Sequence, residues 1–86
     1  MFLGEFMQEE ICSRVCRSAA SAWKIDQTQI NKDSSMDTIT QWDSLGHLKL
    51  IMTLEKDFGL IFHPKDTVRM RSIEKICQVI EAAKGN

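Results

Sequence analysis

Eighty-six residues, 43% hydrophobic and 27% charged, have the balance of a folded chain rather than a disordered one. Their number fits one small domain over residues 1–86 and excludes a Rossmann or barrel enzyme. One Pro, four Gly, no Tyr and a net charge of −1 lean towards helices and give no overall field to draw nucleic acid or a membrane.

No apolar run approaches the roughly 20 residues that span a bilayer. Residues 1–10 hold Glu5, Glu9 and Glu10 and no basic residue, unlike the start of a secretory signal. The three cysteines Cys12, Cys16 and Cys77, odd in number and without such a signal, read as reduced thiols of a cytoplasmic protein.

The first helix is predicted from about Glu5 to Ala22. Met7, Ile11, Val15, Ala19 and Ala22 recur at helical spacing, widened by Phe6, Cys12 and Cys16. Glu10 and Arg14 stand four apart on another face. Cys12 and Cys16 share that spacing but lack a third and fourth ligand, so no metal site is expected. From Trp23 to Asp43 the periodicity stops. Asp26, Asn31, Asp33, Ser34, Ser35, Asp37 and Thr38 are turn and cap formers, while Ile25, Ile30, Met36, Ile39 and Trp42 recur every few residues. That pattern predicts a long ordered loop pinned across a helical core.

A second helix is predicted from Asp43 or Ser44 to Phe58. Asp43 is the N-cap and Gly59 the left-handed stop. Leu48, Ile51, Leu54 and Phe58 form the expected buried stripe, with Leu50 at its margin, while Leu45, Lys49, Met52 and Lys56 share an outward face. After the apolar Leu60-Ile61-Phe62, Pro64 suits the first position of a short helix ending near Met70. Ser72 caps a last helix whose Ile73, Ile76, Cys77 and Ile80 keep helical spacing up to Gly85. The expected fold is all-α: a small four-helix bundle of three longer helices and a short third one, with a long ordered loop between helices 1 and 2.

Chemistry concentrates in Trp42-Asp43-Ser44-Leu45-Gly46-His47. Ser44 falls where loop becomes helix, beside the unpaired N–H groups and positive end of the helix. That setting favours a phosphate by about 0.3–1 kcal/mol at an exposed site. Gly46 lowers helix stability by about 1 kcal/mol relative to Ala and removes a side chain near Ser44. On these residues alone, an ordinary first-turn serine is the favoured reading of Ser44, since Ser commonly occupies helix starts. His47 reads as a solvated residue one turn on, Trp23 and Trp42 as core, and Lys65, Arg69, Arg71 and Lys75 as a solvated basic face or a docking patch. Paired carboxylates, a Ser-His-acid set, a phosphate loop and a metal cluster are all missing from the pattern, so no catalytic residue is expected.

Asp43-Ser44-Leu45 at a helix start, then Leu48, Met52, Leu54-Glu55 and Phe58-Gly59, resembles the second helix of an acyl carrier protein. The resemblance extends upstream through Ile25-Asp26, Ile30, Asp33-Ser34-Ser35-Met36 and Ile39, and downstream through Pro64, Ser72-Ile73, Ile76 and Ile80. It implies a non-catalytic carrier whose Ser44 receives 4′-phosphopantetheine covalently from coenzyme A through a phosphopantetheinyl transferase. The arm then presents acyl thioesters to acyl-loading and acyl-processing enzymes. It further implies a monomer with Asp43 capping beside the attachment point, and a partner-binding face of Leu45, Gly46, His47, Lys49, Met52, Glu55 and Lys56, with no nucleic-acid or membrane partner. Fatty-acid carriers of that family present acidic residues along this helix. Here Gly46, Lys49 and Lys56 leave only Glu55 and Asp57 acidic, so the chain is more similar to stand-alone carriers of specialised bacterial pathways. A peptidyl carrier and an unmodified helical interaction module are the alternatives.

Overall fold

Four α-helices and one 3-10 turn are the regular elements among the described residues 3–85 of the computed structural model, whose side chains are described from Glu9 to Lys84. They are α1 (Leu3–Trp23), the 3-10 turn (Gln27–Gln29), α2 (Ser44–Phe58), α3 (Pro64–Arg69) and α4 (Ile73–Gly85). The predicted all-α bundle with a short third helix is therefore the observed fold. The first helix starts two residues earlier and ends one later than its periodicity suggests. The stripe positions Phe6 and Met7 lie outside the residues whose side chains are described.

The core runs along the faces of α1, α2 and α4. Val15, Ala19, Leu50, Leu54, Ile73, Ile76 and Ile80 are wholly buried, and each fully buried Val, Leu or Ile contributes about 1.5–3 kcal/mol. Arg14 does not close a helical pair with Glu10. Its guanidinium reaches α2 instead, donating to the Asp57 carbonyl at 3.0 Å and lying 4.2 Å over the Phe58 ring. Beside it, the buried Ser18 hydroxyl donates to Asp57 Oδ2 at 2.6 Å.

One stripe differs from its expectation. Leu48 is 55% exposed, whereas Leu50 is wholly buried. At about 100° per residue, Leu50 lies about 40° from Leu54 and Leu48 about 120° from it. Burial centred on Leu54 therefore takes Leu50 in and turns Leu48 out.

The long loop is ordered by more than its apolar anchors. Ile30, Ile39 and Trp42 are buried and Ile25 and Met36 half-buried. Asp26 caps the 3-10 turn through Thr28 N–H. That bond and a second from the Thr28 hydroxyl hold the Asp26 carboxyl below its ordinary pKa. In addition, Ser35 bridges Ser72, Met36 N–H donates to Arg71 O at 3.2 Å, and Ile73 N–H donates to Ser34 O at 3.0 Å. The loop thus ties itself to the entry of α4. A radius of gyration of 12.0 Å matches the value of about 12 Å for a compact chain of this length, so the loop is folded in.

His63 caps α3 through a long 3.5 Å acceptance from Lys65 N–H. Gly59 stops α2 with φ +66°, a left-handed conformation that glycine adopts without penalty. No helix among the described residues is long and apolar enough to cross a membrane.

The three thiols converge where α1 meets α4. Burial pushes the Cys16 thiol up, and burial together with the neighbouring Cys12 thiol pushes Cys77 well above the ordinary range. Cys16 and Cys77 are buried and Cys12 is half-buried, and only the thiolate attacks. Titration of the native chain with an aromatic disulfide reagent at neutral pH should therefore consume one thiol quickly and the other two only in denaturant. Equal rates for all three would contradict this packing.

Candidate functional site

The first turn of α2 is held from four sides. Asp43, in extended conformation, accepts Gly46 N–H on its Oδ1 at 2.8 Å. This is the N-cap bond that meets one of the unpaired donors of a helix start. The buried Trp23 indole, at the end of α1, donates to Gly46 O at 2.9 Å. Trp42 lies beneath, 4.9 Å from Trp23 between ring centroids, and donates from Nε1 to His47 Nδ1 at 2.9 Å. His47 therefore carries its proton on Nε2, which meets Thr67 O at 2.8 Å on α3. One imidazole thus joins the pedestal under α2 to the third helix.

Gly46 is part of this clamp. A Cβ there would run into the Gln41 carbonyl oxygen and press on Asp43 Oδ1. The glycine lets the loop backbone pass against the helix, and it is buried. His47 is likewise half-buried and doubly bonded, not the solvated residue its position suggested.

Ser44 is the first residue of α2 and is exposed. Its hydroxyl has no partner among the described residues. An unengaged hydroxyl on a rigid helix start can accept a transferred group without unfolding its surroundings. The nearby N–H groups and the helix dipole favour a negative charge there. Leu45, Lys49, Met52 and Lys56 stand exposed on α2 as expected. Glu55 is half-buried, and its Oε2 accepts Phe62 N–H at 2.9 Å, pinning the connection that leaves α2.

Leu48, Ile61 (89% exposed) and Val68 (71% exposed) are further exposed apolar residues whose exposure the sequence did not mark. Trp23 supports the site from a distance in sequence and Gln41 from just before it, and nothing in their spacing marks either. An open groove of about 290 Å³ adjoins the turn, lined by Ala22, Trp23, Lys24, Gln41, Asp43, Leu45, Gly46 and Lys49. Among the described residues, no cluster of three or more His, Cys, Asp or Glu side chains could hold a metal ion.

No family model matches the chain. It is similar to the acyl carrier protein of Lactobacillus johnsonii, 24% identical over 75 residues that span 87% of this chain and 94% of that protein. A likeness over nearly the whole of both chains, joined to a helical bundle with a free serine at the start of α2, supports an acyl-carrier-like class.

Proposed function

We propose that this chain is a non-catalytic carrier whose Ser44 bears 4′-phosphopantetheine. The reading rests above all on the Ser44 hydroxyl: exposed, unbonded, and mounted on a first turn locked by Asp43, Trp23 and the Trp42–His47 pair. The similarity to an acyl carrier protein supports it. In the attachment step Ser44 Oγ forms a bond to the phosphorus adjoining the pantetheine of coenzyme A. The diphosphate P–O bond breaks and adenosine 3′,5′-bisphosphate leaves, while the serine proton passes to a base of the transferase, which also holds Mg²⁺.

When bound, the arm supplies a thiol that holds an acyl group as a thioester. The chain's own residues then anchor and present it. Asp43 keeps the first turn closed, the exposed helix start stabilises the phosphodiester charge, and tethering raises the cargo's effective concentration at a docked enzyme. The partners are a phosphopantetheinyl transferase and acyl-loading and acyl-processing enzymes, in the cytoplasm. The balanced charge of α2, two Lys against Glu55 and Asp57, favours a specialised biosynthetic pathway over bulk fatty-acid synthesis.

Incubation with coenzyme A, Mg²⁺ and a broad-specificity phosphopantetheinyl transferase should add one arm's mass to the intact chain. Ser44→Ala should add none while melting at the same temperature. An unmodified wild-type chain, or a modified Ser44→Ala chain, would sink the reading.

A further inference from the structure

We propose that the outward face of α2, with the adjoining surface of α3, docks a protein partner that presents carboxylates around an apolar socket. The carrier reading enters only in placing that partner's reacting centre near Ser44. Leu45, Leu48 and Met52 are 55–61% exposed on α2, more large apolar surface than one helix face of a free-standing chain requires. The His47–Thr67 bond draws α3 alongside, and next to Thr67 in the chain stands the exposed Val68.

The sign of the charge around this apolar surface is a product of folding. By sequence α2 is neutral. In the structure its acidic side chains bond away from the outward face: Glu55 to Phe62 N–H at 2.9 Å, and Asp57 to the Ser18 hydroxyl of α1 at 2.6 Å. Asp43, exposed at the start of the helix, accepts Gly46 N–H with one oxygen and stands beside Ser44 rather than among the lysines. Lys49 and Lys56 remain exposed on the same face as Leu45 and Met52, and neither makes an ion pair among the described residues. On α3, Lys65 and Arg69 are exposed, while its one carboxylate, Asp66, is half-buried and lines a groove with Arg69. The face is thus apolar at its centre and cationic at its margins, and complementary charge governs which partner docks and how fast. Nucleic acid is a poorer occupant, because no exposed aromatic platform accompanies these cations.

The test uses the unmodified full chain, ¹⁵N-labelled, and two synthetic amphipathic helical peptides that share one leucine face, flanked by Glu in one and by Lys in the other. The Glu peptide should shift the amides of residues 45–56 and 67–69. Its binding should weaken about tenfold between about 20 and 300 mM salt. The Lys peptide should leave those amides unmoved, and the exposed double variant Lys49→Glu, Lys56→Glu should reverse the preference. Equal or tighter binding of the Lys peptide, or no salt dependence, would overturn the proposal. So would tighter binding of an oligonucleotide or of anionic vesicles at the same amides. Because no arm is present in this experiment, its outcome is separate from the mass test at Ser44.

Discussion

Gly46→Ala should destabilise the chain by about 2 kcal/mol, the opposite of the gain of about 1 kcal/mol that helix propensity assigns to that exchange. The new methyl group would meet the Gln41 carbonyl oxygen, which is backbone and cannot rotate aside. Overpacking of this kind costs about 1–3 kcal/mol. Moving the two segments apart also stretches the Asp43 cap and the Trp23–Gly46 bond, and these contribute about 1 kcal/mol each. For a chain of this size the loss corresponds to a fall in Tm of about 10 °C. Arm transfer to Ser44 should slow as well, since the serine would no longer stand on a rigid turn. A calorimetric Tm equal to or above wild type would show that the loop does not press on the helix here.

Trp42→Ala should have the largest effect on stability. Trp42 is 1% exposed, and truncating a buried Trp costs about 3–5 kcal/mol. That approaches the whole stability of an 86-residue chain at about 0.05–0.15 kcal/mol per residue, so the variant should be largely unfolded at 37 °C. Trp42→Phe separates packing from hydrogen bonding. It keeps most of the ring and removes only the donor to His47 Nδ1. Its loss should be about 1–2 kcal/mol, because the half-buried imidazole can take water in exchange. Circular dichroism melts of both variants measure this, and equal losses would mean that the hydrogen bond is as important as the indole itself.

The limits of local reading are plain in α2. Its ends were legible, since Asp43 and Gly59 carry the cap and stop chemistry in their own side chains or lack of one. So was the exposure of Ser44, which follows from its place at the boundary. The buried stripe was half legible. Apolar spacing admits both Leu48 and Leu50, and only the direction from which α1 and the rest of the core approach decides between them.

What the sequence determined by itself is whatever acts over one helical turn: helix number and order, the capped start of α2, the hydroxyl at its mouth, and the anchors of the long loop. Only the tertiary structure decided that Gly46 is a point of backbone contact, that His47 links Trp42 to α3, that the loop pairs with the entry of α4, and that the acids of α2 turn away while its lysines stay out. The reason is physical. Caps and helical periods are set within one turn of chain, whereas each of these four features depends on an atom more than one turn away, whose approach only the folded path of the chain decides.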